Sequence, residues 1–213
     1  MYVNYCFQKY YIMYLNIKEG EYLVRLARNS IAHYLESLLP MTPPKPDFPE
    51  LLEKRGVFCT LLKYPSGDLR GCIGLIESDK SLINGVIETS CSATQDPRFM
   101  PLTSEELDKI IIEITVLSDM QKILVYQPRD YLNEIEIGKD GLFIKYKYSS
   151  GIFLPQVPVE QKWDLKTYLC ELCLKAGLDE DAWITKPVDL YKFQAQIFSE
   201  TEPRGNVFEK KLK

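Results

Sequence analysis

The stretch Gly56-Val57-Phe58-Cys59-Thr60-Leu61-Leu62-Lys63-Tyr64, then Pro65-Ser66-Gly67-Asp68, then Leu69-Arg70-Gly71-Cys72-Ile73-Gly74-Leu75-Ile76 decides the fold class. Its two β-like runs flank a tetrapeptide built of turn-favouring residues, which predicts an antiparallel hairpin. Ahead of it, Asn16 followed by Glu19 makes a capping-box pair, and Leu23, Leu26, Ala27, Ile31, Tyr34, Leu35 and Leu38 recur at helical spacing. Between helix and hairpin, the prolines at 43, 44, 46 and 49 demand an extended strap.

After the hairpin, Ser81–Gln95 reads as a helix whose later part, Ser90-Cys91-Ser92-Ala93-Thr94, is all small and suited to close approach. Thr103 and Glu106 open a short helix, and Ile110–Leu117 is a strand with isoleucines on one side and Glu113 and Thr115 on the other. Glu134–Ile137 and Leu142–Tyr148 flank Lys139-Asp140-Gly141, which suggests a second hairpin. Trp163–Ala176 is a long helix stopped at Gly177, and Val188–Ser199 alternates as one half-buried strand. The residues from Glu202 onward are expected to fray. Hairpins interspersed with helices argue for α+β, with mainly antiparallel sheet and flanking helices. Two unequal, closely joined lobes are expected, the smaller spanning about 67–128 and the larger built from both chain ends.

The 213 residues suffice to bury roughly 70% of the unfolded surface, so no disulfide or metal staple is required. A formal charge of −4 argues against nucleic acid as a partner, since neutralising phosphates calls for a basic excess. Six cysteines without a secretory leader point to reduced thiols in a cytoplasm, and no apolar run approaches the ~20 residues of a membrane span. Residues 1–14 form a Tyr-rich extension, readable as an added strand or arm, and Met13 offers a second translation start. Residues 206–213 form a polar tail.

The candidate chemistry centres on Cys72. Strand alternation puts Arg70 and Cys72 on one face, where a cation near the thiol would favour thiolate, while Gly71 and Gly74 permit close approach to the backbone. Against a nucleophile stands the lack of a base. His33 is the only histidine, on the polar face of the first helix. Cys170-Glu171-Leu172-Cys173 spells C-x-x-C, but late in a helix and without the two further ligands of a zinc site. Asp96 and Arg98 of Asp-Pro-Arg-Phe, and Gln156 and Glu160 after Leu154-Pro155, complete the candidate binding set. No metal or cofactor is implied.

Leu-Arg-Gly-Cys-Ile-Gly at 69–74, Asp-Pro-Arg-Phe at 96–99 with Pro101-Leu102, and Leu-Pro-Gln-Val at 154–157 with Glu160 and Trp163 resemble the signature blocks of the AMMECR domain family. Lys175-Ala176-Gly177-Leu178 and Phe198-Ser199-Glu200 also fit, so the resemblance runs over about 15–205. It implies a two-lobed α+β fold, with the 69–74 block as the usual functional suspect. It also implies a possible protein partner in a modification pathway, since some bacterial relatives are encoded beside a Memo-like and a radical S-adenosylmethionine protein. Pro158 stands where the family often has alanine. Two expectations follow. One is a cleft around the Arg70/Cys72 strand that takes a small molecule or peptide, with Cys72 as a catalytic thiol if there is chemistry. The other is a non-enzymatic module that docks a protein partner on the same strand.

Overall fold

The computed structural model describes residues 14–77 and 79–211; the Tyr-rich expectation for the first residues lies outside that range. The first helix, α1, spans Ile17–Ser37, and its start is the expected capping box. Asn16 accepts the Lys18 and Glu19 amides while Glu19 accepts the Asn16 amide. The proline strap runs without regular structure as far as Phe48, but Pro49, expected to be extended, opens a 3-10 turn over Pro49–Leu52 ahead of the hairpin of β1 (Val57–Lys63) and β2 (Leu69–Leu75).

α2 (Leu82–Ala93) and β3 (Ile110–Leu117) come next. A short strand β4 (Gln121–Lys122) and helix α3 (Tyr131–Glu134) precede β5 (Gly141–Tyr146) and β6 (Ser149–Phe153). Three helices follow, α4 (Gln156–Glu160), α5 (Leu165–Lys175) and α6 (Ala182–Thr185). β7 (Asp189–Phe193), β8 (Ala195–Glu200) and β9 (Val207–Lys210) close the chain.

All strand pairs are antiparallel, in a five-stranded sheet of order β2-β1-β3-β8-β9 and a four-stranded one of order β4-β7-β5-β6. The protein is thus α+β. Residues 67–128 lay β2, α2 and β3 on the larger sheet and only β4 on the smaller.

Alternation decides what each sheet buries. Leu61, Ile112, Ile114, Val116 and Phe198 face α1 and α2 in one core, while Leu142, Ile144 and Leu190 pack on Tyr168, Leu169 and Leu172 of α5 in another. Leu117, Phe143 and Phe193, with Phe58, Ile152 and Leu154 against them, form the seam between the two sheets. Burying an ion pair is costly unless its hydrogen bonds are filled, and Arg28 with Glu200 meets that demand. Arg28 donates to Glu200 and to the carbonyls of Leu107 and Ile110, and Glu200 also accepts the Ile112 amide. This cluster locks α1 to β3 and β8.

Three further sequence expectations fail here, each for a local reason. Val188–Ser199 is not one strand. It changes sheets at Gln194, where Ser118 supplies partners for both backbone groups, its amide donating to the Gln194 carbonyl and its hydroxyl accepting the Gln194 amide. Asp140-Gly141 is not a hairpin turn. Asp140 accepts the Glu136 amide and closes a local turn, and β5 then pairs with β6 and β7. The chain beyond Glu202 does not simply fray, because Val207–Lys210 adds β9 to the sheet edge.

Candidate functional site

Among the described residues β2 is an edge strand, and an open edge leaves backbone groups without partners. The Asp96–Phe99 turn covers it at one residue. Cys72 donates its amide to Asp96 Oδ2 at 2.8 Å, and Arg98 Nη2 donates to the Cys72 carbonyl at 3.2 Å. Asp96 in turn accepts the Arg98 amide and two bonds from its guanidinium, at 2.6 and 3.0 Å. The Arg98 side chain, with the two backbone amides behind it, holds the buried Asp96 carboxyl well below the usual carboxylate range.

Register assembles the rest. On the face turned away from α1 and α2, cross-strand pairing sets Cys72, Thr60, Glu113, Ser199 and Phe208 in one row across all five strands. The next row is Gly74, Phe58, Thr115, Ile197 and Lys210. A thiol, two hydroxyls and a carboxyl therefore stand side by side in one row of the sheet. Thr60 donates its hydroxyl to Cys72 Sγ at 3.3 Å, and Lys210 reaches Glu113 at 3.4 Å.

Electrostatics at this row favour the neutral forms. Burial pushes the Cys72 thiol up, aided by Asp96 and Glu113 and opposed by Thr60 and Arg98. Burial likewise raises the Glu113 carboxyl, with Lys210 opposing and Glu160 reinforcing. Lys175, the last residue of α5, lies within electrostatic reach of both Cys72 and Arg98. Thr115 Oγ1, a hydroxyl in the adjoining row, and Gln156 Oε1, at the start of α4, are buried without a hydrogen-bond partner among the described residues.

Arg70 does not serve as the cation beside the thiol. A register irregularity opposite Leu61 and Leu62 makes it the extra residue of a bulge, and it donates to Glu106 at 2.8 and 2.9 Å. Arg98 stands nearest instead, with Lys175 within electrostatic reach. The glycines split in role. A Cβ on Gly71 would stand 2.4 Å from the Ala93 carbonyl, so this glycine admits the small face of α2, whereas a Cβ on Gly74 would strike the Phe58 ring. Gln156 and Glu160 share α4 one turn apart, and Glu160 is exposed. Cys173 is fully buried, and among the described residues no His, Cys, Asp or Glu group is placed to hold a metal. Thr60, Glu113, Ser199 and Lys175 were not singled out from sequence. The one available signal was Glu113 and Thr115 interrupting a run of isoleucines.

On the opposite side of β2 lies an open groove of about 960 Å³, lined by Ile73, Tyr34, Leu38, Met41, Ile87 and Cys91 among others. No helix among the described residues is long and apolar enough to cross a membrane.

A model of the AMMECR1 family matches residues 24–198. The chain is 49% identical over 200 residues to Protein MJ0810 of Methanocaldococcus jannaschii, covering 93% of this chain and 98% of that protein. It is 48% identical to Protein MK0488 of Methanopyrus kandleri, over 93% and 96% of the two chains. The crystal structure of uncharacterized protein PH0010 from Pyrococcus horikoshii superposes with a TM-score of 0.88 at 42% identity, over 93% of this chain and 99% of that one.

Proposed function

From the premise that this chain belongs to the AMMECR1 family, we propose that it binds a small molecule or peptide in a cleft over the Cys72–Thr60–Glu113–Ser199 row. The observation that carries this reading is the row itself. Polar side chains are set on a sheet face together with a buried hydroxyl, Thr115 Oγ1, and a buried amide oxygen, Gln156 Oε1, that lack partners among the described residues, and burying such groups unpaired is costly. A ligand offering N–H or O–H groups would repay that cost. Arg98, Lys175, Gln156 and Glu160 form the rim, and Asp96 fixes the edge.

Binding, rather than thiol catalysis at rest, fits the electrostatics, because a raised thiol pKa leaves little thiolate at neutral pH. Any thiol-dependent step would need the burial that raises the thiol, the largest cause of the shift, to be offset on ligand binding. The test is a thermal-shift and titration screen of peptides and small polar metabolites against the wild type, Thr60→Val and Gln156→Leu. Hits weakened at least tenfold by both substitutions support the cleft. Hits indifferent to both would move the site elsewhere.

A second reading has the apolar groove behind it. Its lining by Ile73 puts an exposed apolar surface directly beside the 69–74 strand, as a partner-docking module requires. Cross-linking from a photoreactive group at Leu38, tested against the same group at Lys175, separates the two surfaces.

A further inference from the structure

Lys175 carries a charge that no described carboxylate pairs with. Its ammonium stands 4.2 Å from the centroid of the Phe153 ring, and that ring is braced by Trp163 at 5.3 Å and Tyr168 at 6.2 Å. Burial, with the nearby Arg98 as the smaller cause, pushes its pKa down, and Cys72 opposes the shift. The 96–99 turn thus holds one positive side chain against the Cys72 carbonyl, and the end of α5 sets a second within electrostatic reach of both Arg98 and Cys72.

The acids nearby are already engaged. Asp96 is taken up by Arg98 and the Cys72 amide, and Glu113 has Lys210 as its partner. Glu160 lies towards Glu113, further along the row. Arg98 and Lys175 against Asp96 leave one net positive charge beside Cys72. Arg98 holds Asp96 through Nε and Nη2, so its Nη1 is not used in that pair.

We propose that Arg98 and Lys175 form a receiving site for a ligand carboxylate beside Cys72 Sγ. This deepens the cleft reading and rests on it. One surplus positive charge matches a monoanion, and a point-like ammonium beside a planar guanidinium matches the two oxygens of a carboxylate. The remainder of such a ligand would run along the row towards Thr60 and Glu113.

Two reagents of nearly equal size test this, iodoacetate and iodoacetamide, which differ in carrying a carboxylate or an amide. Alkylation of each cysteine in the native protein is followed by peptide mass spectrometry, with the urea-unfolded chain as reference. The rate ratio of iodoacetate to iodoacetamide at Cys72 should exceed its unfolded value by about tenfold at low ionic strength. It should shrink as salt is added. Lys175→Gln should return the ratio most of the way, Lys175→Glu should invert it, and Lys175→Arg should keep it. Acetate should slow the reaction at lower concentration than inorganic phosphate does.

A native ratio equal to the unfolded one, with iodoacetamide still reacting, overturns the carboxylate site and leaves the cleft standing. Protection by phosphate ahead of acetate overturns the assignment to a monoanion. If neither reagent reaches Cys72 before unfolding, both the cleft and the carboxylate site are wrong.

Discussion

Asp96 and Cys72 are 24 residues apart, and the carboxylate of one accepts the backbone amide of the other at 2.8 Å. With Arg98 donating to the Cys72 carbonyl, the Asp-Pro-Arg-Phe turn gives this residue of an edge strand the two bonds a neighbouring strand would supply. Two sequence blocks that look unrelated are therefore halves of one structure. The clamp blocks strand addition at Cys72 and fixes the position of the thiol.

Removing the clamp should loosen the strand. Asp96→Ala leaves the Cys72 amide without its acceptor, and a stability loss of about 2 kcal/mol is expected from denaturant midpoints. Alkylation of Cys72 should quicken in the same variant. Because Arg98 and the backbone amides depress the Asp96 pKa in the folded state, its contribution is present above the unfolded carboxylate pKa and is lost as pH falls below about 4. Asp96→Asn should flatten the acid limb of the stability curve.

Much of the fold was legible because its signals are local. Asn16 with Glu19, the hairpin about Pro65–Asp68, and the isoleucine alternation of Ile110–Leu117 each announce their structure within a few residues. The sheet change at Gln194 was not legible, since alternation continues on both sides of it and only the Ser118 contacts reveal the crossing. The site was half legible. Cys72, Asp96 and Arg98 stood out as residues, but the bulge that withdraws Arg70, and the register that lines up Thr60, Glu113 and Ser199, are long-range facts.

The Arg28–Glu200 pair should be the costliest polar contact to break. Both side chains are almost fully buried, so Glu200→Ala strands a guanidinium and the Ile112 amide in the core. A loss of about 3–5 kcal/mol is expected by chemical denaturation. An equivalent change in the exposed Arg204–Asp108 pair should cost under about 1 kcal/mol.

Gly71→Ala sets a methyl group against the Ala93 carbonyl, and neither backbone can yield without moving β2 or α2. A destabilisation of about 1–3 kcal/mol is expected. Gly74→Ala meets a side chain instead, the Phe58 ring, which has to turn within the seam between the sheets. It should perturb near-ultraviolet circular dichroism more than it lowers the denaturation midpoint.

Glu113 offers the opposite pH signature to Asp96. Burial raises its folded pKa above the unfolded value, with Lys210 opposing and Glu160 reinforcing. A raised carboxyl contributes stability that is fully present below the unfolded pKa and is lost as pH rises through the folded one. Glu113→Gln, neutral at every pH, should therefore gain on the wild type as pH rises from 4 towards 8. In acid, where the wild-type carboxyl is itself neutral, the two should converge. Stability curves of both proteins over that range check the sign. A wild type that gains on the variant with rising pH would mean that Lys210 outweighs burial, and that Glu113 stands ionised beside the thiol.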